Sequence, residues 1–179
     1  MPPQGSYILG PTNGTLLVRT GRTGAAAKAG HDLVIEVTDW KATLEIGADP
    51  ARTSLALDAD AASLHVREGS GGMQALDKDD KASIRQTIDD EILKGKGIEF
   101  RSSEVSADAD GTRIGVRGEL TLVGVSHDIA FDLLFDGGGR LSANATLRQT
   151  DWGIKPYSTL FGALKVADEV EVTFDAGPL

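Results

Sequence analysis

The sequence predicts an all-β fold with one accessory helix, in which about eight or nine antiparallel strands form a sandwich or a barrel. Three observations carry this expectation. Apolar and polar residues alternate with period two through most of the chain, turn residues separate the alternating runs, and one stretch alone changes to helical spacing.

The strands follow in order as "TLLVRT" (15–20), "LVIEVTDWKATLEIG" (33–47), "SLALDAD" (54–60), "IEFRSSEV" (98–105), "RIGVRGELTLVG" (113–124), "HDIAFDLLFDG" (127–137), "RLSANATLRQ" (140–149) and "DEVEVTFDA" (168–176). In the fifth run Ile114, Val116, Leu120 and Leu122 share one face while Arg113, Arg117, Glu119 and Thr121 share the other. "ADG" (109–111) and "DGGG" (136–139) read as hairpin turns, and "REGSGGMQ" (67–74) reads as a flexible loop. The exception is "LDKDDKASIRQTIDDEILKGKG", where Ile84, Ile88 and Ile92 recur every four residues. Asp77 suits the cap, Asp79 and Asp80 suit the positive dipole end, and Gly95 suits the stop, so an amphipathic helix is expected over about 77–94. Its Ile stripe must cover an apolar surface of the β structure.

A chain of 179 residues with 40% apolar and 25% charged residues fits one domain over 1–179 with a substantial core. The net charge of -9 and pI of about 4.7 oppose phosphate backbones, so no nucleic acid partner is expected. There is no cysteine, which excludes disulfides and thiolate chemistry. "MPPQGSYILG" lacks the basic and apolar regions of a signal peptide, and no apolar run reaches the length of a membrane span. The expectation is a cytoplasmic protein without stable membrane insertion.

Candidate chemistry is sparse. His31, His65 and His127 lack ligand spacing, so no metal site is expected, and each histidine is read as hydrogen-bonding locally at a strand start. Ser126, His127 and Asp128 carry the names of a triad, but strand neighbours point to opposite faces and cannot align as one. No phosphate loop, dinucleotide fingerprint or nucleophile elbow is present, so no cofactor is expected. What stands out is "WGIKPYSTLFGAL" (152–164), where Trp152, Ile154, Tyr157, Leu160, Phe161 and Leu164 are spread among Gly153, Pro156 and Gly162. Such a loop either plugs the β structure as core or forms the mouth of a ligand site.

The run from "GELTLVGVSHDIAFDLLFDG" through "ATLRQTDWGIKP" to "VADEVEVTFDA", with the looser opening "GSYILGPTNGTLLVRTGR", resembles the YceI-like, or polyisoprenoid-binding, family. The order of these pieces holds along nearly the whole chain. The family's aromatic segment before its middle strand is replaced here by the helical stretch. The resemblance implies an extended lipocalin-like antiparallel β-barrel of about eight strands that encloses a long isoprenoid, isoprenoid quinone or fatty amphiphile and acts as a carrier or sequestering protein, with no enzyme activity.

In such a barrel the inward set is Leu16, Val18, Leu33, Ile35, Val37, Phe100, Ile114, Val116, Leu120, Leu122, Phe131, Leu133, Val170, Val172 and Phe174. Trp152, Ile154, Tyr157, Leu160, Phe161 and Leu164 line or gate the mouth. Arg22, Lys28, Arg148, Lys155 and Lys165 are the cations at hand for a head group. Two other readings stand beside this one. The first is a hydrolase-like enzyme with His31 or His127 as general base, and the other is a filled barrel whose loop and helix make a homodimer or partner interface.

Overall fold

The computed structural model describes residues 3–49, 52–108 and 110–179. Its strands are β1 (Gly5–Leu9), β2 (Gly14–Thr23), β3 (His31–Val37), β4 (Trp40–Ile46), β5 (Ser54–Ala59), β6 (Leu64–Gly71), β7 (Ile98–Ala107), β8 (Arg113–Leu122), β9 (Val125–Phe135), β10 (Leu141–Arg148), β11 (Ser158–Thr159) and β12 (Leu164–Ala176). The helix α1 (Lys78–Thr87) lies between β6 and β7. Neighbouring strands pair antiparallel, in the order β1-β4-β5-β7-β8-β9-β10-β12-β2-β3-β6, with β11 paired to β12.

The curl of this sheet follows from its topology. β3 lies near one end of the order and β4 near the other, yet only Thr38 and Asp39 join them. The three Cα steps from Val37 to Trp40 span no more than about 11 Å, so the sheet must bend until its two ends meet. The partner hairpin arm bends at the same level, where Thr38 N–H donates to Ser63 O at 2.9 Å and Asp60 N–H donates to Asp39 O at 3.0 Å. The result is a barrel-like sheet with a side opening along the free edge of β6. There α1 is held by Arg85 Nε donating to Ala62 O and Lys81 Nζ donating to Arg67 O, at 2.9 and 3.2 Å.

Three expectations need correction. The sheet has twelve strands, not about eight, because 33–47 breaks at its corner into β3 and β4, and because β1, β6 and the two-residue β11 join it. Residues 67–71 are not loop but the second half of β6, paired with β3 from His31↔Gly71 to Val34↔Glu68. Glycine-rich polarity hid a strand whose ladder is supplied by its partner. The helix starts as expected, with Asp77 capping Asp80 N–H at 2.8 Å and Asp80 returning the bond to Asp77 N–H at 3.1 Å. Its final turn, Ile88–Leu93, widens to π geometry and ends on left-handed Lys94 and Gly95. The turn expected at 109–111 includes Ala109, outside the described residues, whereas Asp136 does close the other, accepting from Gly138 and Arg140 N–H at 2.8 Å.

One end of the barrel is packed solid. Leu9, Leu44 and Ile114 are fully buried there, and Trp40 meets Phe174 edge-on with ring centres 5.5 Å apart. No helix among the described residues is long and apolar enough to cross a membrane.

Candidate functional site

Above the packed end, the curled sheet and α1 enclose a cavity of about 590 Å³, within the usual range of small-molecule sites of about 300–1,000 Å³. The register shows how its wall is built. Across β10, β12, β2 and β3, inward residues fall in successive rows: Ala143, Phe174, Leu16 and Val37; then Ala145, Val172, Val18 and Ile35; then Leu147, Val170, Thr20 and Leu33. All of these line the cavity, as do Gln149, Val166, Arg22 and His31 at the top. The wall therefore grades from wholly apolar at depth to polar and cationic at the mouth. Facing it are Leu55, Leu57, Phe100, Leu120, Leu122, Ile129, Phe131 and Leu133, with Phe100 and Phe131 in ring contact at 5.3 Å. Ile84, Ile88 and Ile92 of the helical segment close the remaining side, so the isoleucine stripe faces the cavity.

The mouth is tied together by polar contacts. Arg22 donates its Nη1 to Gly30 O, and its backbone N–H donates to Asp32 Oδ1 at 3.1 Å, the same carboxylate that lies 3.6 Å from its guanidinium. His31 Nε2 contacts Gln74 O at 2.7 Å. Lys165 lines the mouth and forms no ion pair among the described residues. It is the uncompensated cation of the wall.

The long loop after β10 is positioned by a bulge. Between Val166 and Val170 the β12–β2 register shifts, which frees Ala167 and Asp168 from the ladder. Gln149 Nε2 donates to Ala167 O at 2.9 Å, and Asp168 accepts from Thr150 N–H at 2.9 Å and Thr150 Oγ1 at 2.6 Å. The Thr150 hydroxyl bond is the main reason the Asp168 carboxyl is held below its ordinary value. These bonds set the turn 149–152 so that Trp152 points inward, donating its Nε1 to Leu120 O at 2.8 Å and meeting the His127 ring at a tilt of 57°, with centres 5.3 Å apart.

Of the expected site residues, Leu16, Val18, Ile35, Val37, Phe100, Leu120, Leu122, Phe131, Leu133, Ile154, Tyr157, Leu164 and Val172 stand on the cavity wall. Four do not. Val116, like Ile114, is sealed in the packed end, because the same strand face passes from cavity to core along its length. Trp152 is a buried anchor behind the wall, and Leu160 and Phe161 turn outward into solvent. Among the cations, Arg22 and Lys165 reach the wall while Lys28, Arg148 and Lys155 lie off it. Arg148 is beside Glu169 instead, at 3.7 Å. His127 contacts its neighbour Asp128 O at 3.0 Å, and neither it nor His31 is hydrogen-bonded to a carboxylate among the described residues. His31 bonds across 43 positions, not locally. Leu55, Leu57, Ile98 and Ile129 also line the wall, although the sequence reading did not single them out; each lies in an alternating run, and that periodicity is the signal that marks them.

A curled antiparallel sheet with a helix in its gap, and a large apolar cavity graded toward a cationic mouth, define a small-ligand-binding β-barrel of the hydrophobic class. The YceI-like domain family model matches residues 18–177, and the chain belongs to that family of hydrophobic-ligand-binding barrels. Among solved structures it is similar to Burkholderia cenocepacia BcnA, with 14% identity and a TM-score of 0.63 over 90% of this chain and 94% of that one. It is also similar to a Campylobacter jejuni YCEI protein, with 17% identity and a TM-score of 0.56 over 77% and 79% of the two chains. A mutant of the latter, at 16% identity and a TM-score of 0.58 over the same shares, holds a monobromobimane guest. At these identities the likeness is one of fold. No curated protein sequence matches the chain.

Proposed function

We propose that the protein binds a long-chain amphiphile, an isoprenoid, isoprenoid quinone or fatty acid derivative, tail first inside the sheet, and serves as its carrier or store. The observation that carries this reading is the grading of the cavity wall, from the Leu16 and Val37 row at depth to Arg22, His31 and Lys165 at the mouth. A tail gains about 0.8 kcal/mol per buried CH₂, so ten groups supply roughly 8 kcal/mol against association costs of about 4–15 kcal/mol. Lys165 and Arg22 then receive a carboxylate, phosphate or carbonyl head. Binding of this kind asks for no catalytic residue.

Ala145 lies in the middle row, with Val172 as its ladder partner, so a large side chain there obstructs the tail path. The test is uptake of a fluorescent fatty acid and of a prenyl-chain probe, alongside native mass spectrometry of the purified protein. Wild-type protein should take up at least one probe, and Ala145→Trp with unchanged circular dichroism should not. Wild-type protein that is empty as purified and takes up neither probe defeats the reading.

A further inference from the structure

The mouth has a surface character that the cavity alone does not require. Of the large apolar side chains exposed on the described residues, Met73, Tyr157, Leu160 and Phe161 stand around this one end. Met73 lies in the segment held by His31 Nε2 at Gln74 O, and Ala26 N–H ties the strip before β3 to Ala163 O at 2.8 Å. Phe161 is 112% exposed, projecting further than in an open peptide, and both Leu160 (φ 50°) and Phe161 (φ 54°) hold left-handed backbone. Two successive non-glycine residues in that region hold both apolar side chains outward against local preference.

The charge is reversed there as well. In a chain of net charge -9, residues 21–32 carry Arg22, Lys28 and a single acid, Asp32, which pairs with Arg22, and residues 153–167 carry Lys155 and Lys165 and no acid. None of the three lysines forms an ion pair among the described residues. The third segment leaves the mouth before its acidic helix start, since Leu76 folds back against Leu33 and Gly69. Lysine is depleted in the cores of protein interfaces, whereas an apolar tip flanked by lysines matches the head-group layer of an anionic bilayer.

We propose that the cavity mouth is a peripheral membrane-contact face, in which Leu160, Phe161 and Met73 enter the interfacial layer of an anionic bilayer and Lys28, Lys155 and Lys165 meet its head groups. The inference rests on the amphiphile-binding reading for its purpose, because a carrier must meet the bilayer that holds its cargo. Its evidence is the outer surface of the mouth. The contact is transient and does not span the bilayer.

The test is co-flotation of the whole chain with vesicles of phosphatidylcholine alone and of phosphatidylcholine mixed with phosphatidylglycerol. Wild-type protein should float with the anionic vesicles and be released by salt. The double variant Leu160→Ser, Phe161→Ser should bind about tenfold less, and Lys28→Glu with Lys155→Glu should lose the preference for anionic vesicles. Thermal melts confirm that both variants fold. Absence of flotation, or flotation unchanged by the double variant, overturns the proposal. So does light scattering that shows a wild-type dimer split by the same double variant, since the tip is then a contact between copies. Wild-type protein that loads a probe from solution yet ignores both vesicles defeats the docking alone; protein that floats but loads no probe defeats the cavity reading alone.

Discussion

Trp152 and Phe161 are two aromatics of one loop with opposite fates. Trp152 is 2% exposed, with its indole N–H committed to the Leu120 carbonyl, while Phe161 contributes nothing to the core. Trp152→Ala is therefore expected to cost about 3–5 kcal/mol in urea unfolding, and Phe161→Ala to stay within about 0.5 kcal/mol. Equal effects of the two substitutions would show that the loop is packed differently. Asp168 governs the same turn through Thr150. Its folded value lies below the ordinary 3.8, so its contribution is present above that value and is lost as the pH falls through the lower folded value. Asp168→Asn should melt below wild type at neutral pH, with the gap closing under acid conditions beneath 3.8. A gap that persists at the lowest pH removes Asp168 as the anchor.

At the scale of elements, bulges and close approaches shape the barrel. In β7 the register against β8 shifts between Ser102 and Glu104, and Gly118 of β8 sits across from that shift. A Cβ on Gly118 would press on the Arg101 carbonyl oxygen, the Phe100 ring and Ser102 Cα. Gly118→Ala should cost about 1–3 kcal/mol and, by displacing Phe100 on the cavity wall, weaken probe binding; a variant neutral in both respects contradicts the packing. The hairpin between β8 and β9 turns on Val123 and Gly124, both at positive φ as a two-residue primed turn demands. Period two made most strands legible, since facing in or out is set by local geometry. It did not reveal the corner at Thr38 and Asp39, because a strand that bends keeps its alternation. Nor did it reveal β6, whose second half is held in the sheet, glycines and polar residues included, by pairing with β3.

For the whole molecule, a ligand that occupies the cavity only in the folded state must stabilise it by mass action. A probe at a hundred times its dissociation constant should add about 2.7 kcal/mol and raise Tm in a concentration-dependent way. Ala145→Trp should abolish that shift while leaving the unliganded melt readable, and a shift of equal size in the plugged variant would place the ligand elsewhere. The cavity exists because a twelve-stranded sheet curls around more volume than its inward side chains fill, with α1 and the Ile84, Ile88 and Ile92 stripe closing the gap beside β6.

By itself the sequence determined the β class, the helix and its cap, the apolar inward faces and the family, because these depend on spacing between near neighbours and on short motifs. Only the tertiary structure decided which inward residues border empty space and which are packed. Val116 and Leu120 alternate on the same strand face, yet Val116 is sealed in the packed end and Leu120 borders the cavity. Only the tertiary structure, again, separated Trp152 from Leu160 and Phe161, since their directions depend on a bulge in β12 and on the Asp168 bond to Thr150. The enclosed volume and the fate of a loop are set by contacts between residues far apart in the chain, and no local pattern records them.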